Sequence, residues 1–468
     1  MVRPLLMSTT EQVDVVVIGG GSGGYEAAKV CGKAGLKVVV LDGAEELGGL
    51  CILKGCMPTK AWLETTMRRR HILEAGGFGI EVGEPKVDLE RVNKRCRDLV
   101  NEFQHYRIEG LKNAPFELVR ANGEFVGRKT VKAGDRVFEG RRIVVATGSQ
   151  HLIAPIPGIE EVNYWTSDDL LQVQEVPKSA MILGTGAVGT ESAFLLNGLG
   201  CEVTIFSRSK PFMSRVGEEV SEAVVKRCED VGINVVFCSK TEKVEEESGE
   251  VVLTFDDGEV YRAEKLVMAT GRKPNLEGLN VEAAGFEADT KRLDIDEQAR
   301  TKVSGIFAAG DCGSPVAVLH LAVKQGNVAG KHIVAELAGT KSEAQWEERL
   351  HMFGIFADPE IVQLGLTEKE AREAGYDPVV ASYPFADQGK GMIVGEKRGV
   401  VMLMADRKSG RLLGAAGLGP GVVDHGHCVL VAIAQRMTVA QFMDVPMYHP
   451  TVAEIWSYVG EDLEEMVG

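Results

Sequence analysis

The sequence predicts an α/β protein in which one β-α-β unit occurs twice, followed by a module of different make-up. Three observations predict it. A short apolar run leading into a glycine-rich turn and then a helix occurs at residues 13–33 and again from residue 180 onward. Glycine is abundant, 55 residues, and much of it falls where a strand gives way to a helix, as the tight turns of an α/β protein require. Around Lys341 to Arg349 the chain turns polar, and the module beyond it carries no glycine fingerprint.

Taken in order, Val13-Asp14-Val15-Val16-Val17-Ile18 reads as a buried strand. Gly19-Gly20-Gly21-Ser22-Gly23-Gly24 is the turn, a helix runs from about Tyr25 to Lys33, and a second strand over 37–41 ends at Asp42. Next comes Gly48-Gly49-Leu50-Cys51-Ile52-Leu53-Lys54-Gly55-Cys56-Met57-Pro58-Thr59-Lys60, a Gly-flanked turn that opens a helix and holds two cysteines five apart. The Pro-rich stretch Ala154 to Gly158 reads as a linker. The second copy starts at Ala180-Met181-Ile182-Leu183, turns through Gly184-Thr185-Gly186-Ala187-Val188-Gly189, and ends with a strand over 202–206. Three more strands end in small residues: Ile143 to Gly148, Leu266 to Gly271, and Gly305 to Asp311.

Each glycine turn has the context of a Rossmann-like dinucleotide site. Gly19, Gly21 and Gly24 let the backbone approach a pyrophosphate seated at the helix N-terminus, and Asp42 would hydrogen-bond a ribose hydroxyl. Gly184, Gly186 and Gly189 repeat the pattern, but the strand-end residue is Ser207, followed by Arg208, Lys210 and Arg215. A carboxylate there would repel a 2′-phosphate, whereas guanidinium groups bind one, so the second site is expected to take NADP in preference to NAD. A solvated basic surface loop is the plain alternative.

Cys51 and Cys56 could form a zinc half-site, but no matching Cys/His pair follows. Inert core thiols are the other alternative, and a Gly-rich turn suits them poorly. A short ring between two such cysteines suits a disulfide that cycles with a dithiol. With Pro58 in a first helical turn, Cys56 would sit where the helix dipole favours thiolate. His449-Pro450-Thr451-Val452-Ala453-Glu454 places a histidine beside a carboxylate, a candidate general acid/base. His425 and His427 lack a third ligand and read as surface or helix residues, so no metal site is expected.

Bulk properties bound the partners. The chain has 468 residues, 44% hydrophobic, enough for two or three packed domains. A net charge of -16, with no basic stripe, argues against nucleic-acid and anionic-membrane partners. No apolar run reaches the length of a membrane span. Met1 to Glu11 holds too little for a secretory signal and reads as a frayed tail. Nine scattered cysteines do not form a secreted disulfide framework, so a cytoplasmic setting is expected.

These residues together resemble the flavoprotein disulfide reductases (class I pyridine nucleotide-disulfide oxidoreductases), nearest in type to dihydrolipoamide dehydrogenase, with glutathione and mercuric reductases as relatives. The resemblance runs from about Val13 to Trp456. It rests on both fingerprints, the GGxCxxxxCxPxK segment, the two Ala-Thr-Gly segments ending at Gly148 and Gly271, Ala309-Gly310-Asp311, Asp358-Pro359-Glu360, and His449-Pro450-Thr451 with Glu454. It implies FAD on the first fingerprint, with Asp311 near the ribityl chain, Lys60 near the reactive flavin nitrogen and Glu191 paired with that lysine. It implies Cys56 as the sulfur facing the flavin, Cys51 as the interchange thiol, and a nicotinamide cofactor on the second fingerprint. The implied domains are a split FAD-binding domain, 11–152 and 280–346, an NAD(P)-binding domain, 153–279, and an α+β dimerisation domain, 347–468. The last would bring His449 and Glu454 to the other subunit's disulfide in a homodimer with composite sites. The expected substrate is a small disulfide or lipoyl-type compound, free or carried on a protein.

Three departures from the family pattern bear on that substrate. Leu53-Lys54 replaces the usual Asn-Val between the cysteines, Ser207-Arg208 matches the NADPH-using relatives, and the stretch from Gly419 to His427 differs from the dehydrogenase pattern. Mercuric reductase is disfavoured by His449 and by a C-terminal Asp462 to Gly468 that lacks vicinal cysteines. An NADPH-dependent reductase of glutathione or another small disulfide is the alternative enzyme. A non-enzymatic flavin-binding sensor is the alternative of another class, and it would need neither the cysteine pair nor Lys60, Glu191 and His449.

Overall fold

The computed structural model describes residues 10–238 and 240–467, which divide into two compact units. The tail reading for Met1 to Glu11 lies outside the described residues except at its end, where Thr10 and Glu11 already belong to the first strand.

The first unit comprises the described parts of 1–57, 97–151 and 272–348. Its seven-stranded sheet is built around Thr10–Ile18, which pairs in parallel with Val38–Leu41 on one side and Arg136–Val145 on the other. Val15, Val16 and Val17 are wholly buried, as a central parallel strand covered on both faces demands. Glu117–Val119 extends one edge, and Ile306–Ala308 pairs in parallel with the end of Arg136–Val145. The helix after the first strand begins at Ser22, three residues earlier than the sequence suggests, because the second half of the glycine turn is already helical. The second strand begins at Val38, with the Lys37 amide held instead by the Asp14 carboxylate at 2.9 Å. The segment from Arg272 falls in this unit, where Arg272–Pro274 pairs with Ser149–His151.

The second unit comprises the described parts of 58–96, 152–271 and 349–468. One part of it is a four-stranded parallel sheet in the order Ile233–Phe237, Glu202–Ser207, Ser179–Leu183, Lys265–Met268, next to a three-stranded antiparallel sheet over 241–263. Met181, Leu183, Phe206, Leu253 and Phe255 share one core there, with Ile156 from the expected linker packed into it. The other part is a five-stranded antiparallel sheet, Met352–Ile355, Glu360–Gly365, Leu412–Gly419, Val400–Asp406, Pro378–Pro384. Helices Val422–Ala434 and Ile455–Glu464 cover it, burying Val429, Ile433, Ile455 and Trp456. Among the described residues no helix is long and apolar enough to cross a membrane.

Candidate active site

In the first unit the glycine turn is a cradle closed by backbone. A Cβ on Gly19, at φ +102, would stand 2.3 Å from the Ala146 carbonyl oxygen, and one on Gly24 would stand 2.0 Å from that of Gly19. Neither position admits a side chain. A Cβ on Gly21 would meet nothing within 4 Å, because Gly21 faces a cavity of about 190 Å³. Gly21 also caps the 12-residue helix Ser22–Lys33 without any side-chain hydrogen bond, leaving the first amides for an anion. Asp42 braces the turn by accepting from the Gly20 amide at 3.0 Å. Asp311 lines the cavity with Gly148 and accepts from Ser149 Oγ at 2.6 Å. An open glycine, unsatisfied helix amides and an acidic wall fit a dinucleotide pyrophosphate and its polyol chain.

Cys51 and Cys56 line this same cavity. Cys51 lies half-buried in the short helical turn Leu50–Leu53, and exposed Cys56 is the first residue of the helix Cys56–Glu74. Three thiols elsewhere are of another kind: burial pushes Cys31, Cys201 and Cys228 up to about 12, which keeps them protonated. Sequence reasoning missed Arg107, which donates to Ser22 Oγ at 3.3 Å and stacks 4.3 Å from the Tyr25 ring. It brings a cation to the first turn of the cradle helix. Nothing in the sequence around Arg107 marks it, since its helix, Leu89–Lys112, carries no motif.

The second unit repeats the cradle. A Cβ on Gly184, φ +115, would stand 2.2 Å from the Ala269 carbonyl oxygen, one on Gly189 would stand 1.9 Å from that of Gly184, and one on Gly186 would be unobstructed. Gly186 opens onto a cavity of about 740 Å³, and Gly271 and Arg208 line it too. Three of the expected selector residues lie elsewhere. Ser207 is buried, and its hydroxyl donates to the Ser209 carbonyl at 2.8 Å. Arg215 is drawn to Glu370 at 3.2 Å and His351 at 3.1 Å, with its guanidinium over the Phe353 ring. Lys210 similarly rests over the Phe237 ring, 4.9 Å from its centroid. The cation that joins Arg208 in the cavity wall is Lys240, beyond the neighbouring strand, which sequence reasoning did not find.

Two side-chain pairs complete the expected set. Lys60 follows Cys56 by one turn of the same helix, and its ammonium lies 2.7 and 2.9 Å from the two Glu191 oxygens. Glu191 is buried and also accepts from the Phe356 amide at 3.1 Å, while Lys60 sits 4.9 Å from the Phe356 ring centroid. His449 Nδ1 lies 3.0 and 3.2 Å from the Glu454 oxygens. Because the partner is a carboxylate, Nδ1 carries the proton and Nε2 is left for chemistry. His425 and His427 lie on the helix Val422–Ala434. Burial pushes His425 down to about 4, and its Nδ1 accepts from Trp456 Nε1 at 2.7 Å, so it is a neutral packing residue.

Comparison with known proteins agrees with this architecture. The sequence profile of the pyridine nucleotide-disulphide oxidoreductases matches residues 13–326, and that of their dimerisation domain matches residues 353–459. A mercuric reductase of Bacillus cereus is 30% identical over 94% of this chain and 70% of its own length. A dihydrolipoyl dehydrogenase of Bacillus subtilis is 30% identical over 88% of this chain and 90% of its own. The HOCl-induced flavoprotein disulfide reductase RclA of Escherichia coli, solved as a Cu(II) complex, superposes with a TM-score of 0.83 over 97% of this chain and 100% of its own. At 24% identity that last likeness is one of fold. With two cradles of one design, a cysteine pair in the wall of the first, and both family profiles matched, the chain belongs to the pyridine nucleotide-disulphide oxidoreductases.

Proposed function

We propose that the protein moves electrons between NADP(H) and a small disulfide/dithiol couple of the lipoamide kind through Cys51 and Cys56. The observation that carries this is the shared cavity: both cysteines line the space into which Gly21 and Asp311 open. FAD and a nicotinamide cofactor belong to the family's chemistry, and bound FAD supplies a two-electron carrier between hydride and disulfide. The rest falls to the chain's own side chains.

In the reducing direction the Cys51 thiolate attacks a substrate disulfide, forming a mixed disulfide and releasing one thiolate. The Cys56 thiolate then attacks the Cys51 sulfur, releases the second thiolate and closes the Cys51–Cys56 bond. His449, as imidazolium, gives its Nε2 proton to a departing thiolate, and Glu454 holds Nδ1–H throughout. In a homodimer this pair serves the cysteines of the partner subunit. The dimerisation-domain match supports that assembly, as do the exposed apolar side chains Met392, Ile393 and Val394.

Cofactor choice provides the first test. Arg208 and Lys240 both line the second cavity, and Ser207 brings no carboxylate. kcat/KM for NADPH should exceed that for NADH with lipoamide or glutathione disulfide as acceptor. Charge-assisted bonds to a 2′-phosphate are worth about 1.5–3 kcal/mol each, and exposure puts Arg208 at the low end. Arg208→Ala should therefore raise KM for NADPH about tenfold and leave NADH kinetics nearly unchanged. A wild-type enzyme preferring NADH tenfold or more would overturn the NADP assignment.

The cradle gives the second. Any β-branched side chain on Gly24 collides with the Gly19 carbonyl. Gly24→Val protein should therefore purify without yellow colour, whereas Gly189→Val protein should retain flavin. Flavin absorbance at full occupancy in Gly24→Val would refute the placement of FAD.

A further inference from the structure

Glu454 is 3% exposed, so its carboxylate is stable only if donors surround it. His449 is one. Two more come from residues that the family resemblance does not point to. Tyr458, one turn along the helix Ile455–Glu464, donates its hydroxyl to Glu454 Oε1 at 2.9 Å. Gln388, wholly buried, directs its Nε2 to the same oxygen at 3.4 Å and to the Thr451 carbonyl at 2.8 Å. Gln388 Oε1 accepts from the Gly391 amide, which fixes the amide orientation: flipped, its carbonyl would face two acceptors. Tyr458 is held in turn by the Tyr383 ring, 5.2 Å between centroids.

We propose that Tyr458 and Gln388 are positioning residues for the His449–Glu454 pair, and that they set the pH at which His449 exchanges its proton. This rests on the reading of His449 as the proton exchanger. Each hydrogen bond donated to Glu454 takes up part of the carboxylate's charge and weakens its pull on the imidazolium. Shared among three donors, the carboxylate acts less strongly on the imidazolium than it would with histidine as its single partner. Burial and the Glu454 charge push the Tyr458 phenol up, so it remains a donor. The other charges felt on this side are those of Glu461 on Tyr458, and of Asp387, Asp462 and Glu461 on Tyr383. All are carboxylates, so none substitutes for the two donors.

The test is the pH profile of disulfide turnover, kcat/KM with lipoamide, measured on the FAD-loaded dimer. Tyr458→Phe keeps the ring against Tyr383 and removes only the hydroxyl. It should shift the limb due to His449 upward by about half to one pH unit, with flavin content and dimerisation unchanged. Gln388→Glu, which replaces a donor with a second carboxylate, should shift the same limb upward further and serves if the phenylalanine variant folds poorly. A limb that stays at its wild-type position in the folded variants overturns the proposal. A His449→Gln enzyme is measured alongside: if it keeps both the limb and the full rate, the reading of His449 is what fails. If it loses them while Tyr458→Phe moves nothing, only the positioning role fails.

Discussion

Cys51→Ser and Cys56→Ser should each lower disulfide turnover by about three orders of magnitude or more, while the protein remains yellow. Neither sulfur can complete the exchange alone, because a mixed disulfide on Cys51 is resolved only by a second thiolate. On the proposed placement flavin should stay bound, because the contacts that shape the cradle at Gly19, Gly21, Gly24 and Asp311 do not involve either thiol. The two variants should still accept hydride from the reduced nicotinamide cofactor, seen as bleaching of the flavin band in a stopped-flow trace. Turnover of lipoamide or glutathione disulfide at wild-type rate in either variant would remove the cysteine pair from the mechanism.

His449→Ala should cost about 10²–10⁴-fold in disulfide turnover, the usual worth of a positioned acid/base. The side chain of His449 is 73% exposed in the single chain while Glu454 lies buried behind it, an arrangement suited to presenting Nε2 outward. If the pair serves the partner subunit, mixing Cys51→Ser chains with His449→Ala chains should recover part of the lost activity, since one hybrid site in the heterodimer keeps both groups. Heterodimers that form, carry flavin and remain inactive would show that His449 does not act across the interface.

The glycine cradles were legible because their chemistry is local. A strand, a turn with glycines at fixed spacing and a helix lie in one continuous segment, and the backbone collisions that exclude a side chain at Gly24 and Gly189 follow from that geometry. The helix start at Ser22 was misplaced because glycines argue against helix by propensity, while the cradle makes them its first turn. Cation placement was less legible. Arg215 lies close in sequence to Arg208, yet its charge is claimed by Glu370 and His351 from a distant segment, and periodicity carries no trace of such a pairing. Lys240 was missed for the converse reason: it reaches the cavity from the end of another strand. Tyr458 was within reach, since its spacing from Glu454 is one helical turn. Gln388 was not, because only the packed sheet brings it beside Thr451.

The two cradles also bear on the chain's ancestry. Gly19, Gly21, Gly24 and Asp42 correspond, at one constant offset along the sequence, to Gly184, Gly186, Gly189 and Ser207. The correspondence extends to the neighbouring strand, where Ala146 and Ala269 each turn a carbonyl oxygen onto the first glycine. This is the signature of a duplicated gene segment whose copies kept the same atomic reason for each glycine. The copies differ at the last position of the series, where the first has an acid and the second a neutral residue followed by arginine. The glycine end of the groove is built alike in both copies, and its far end is where they differ.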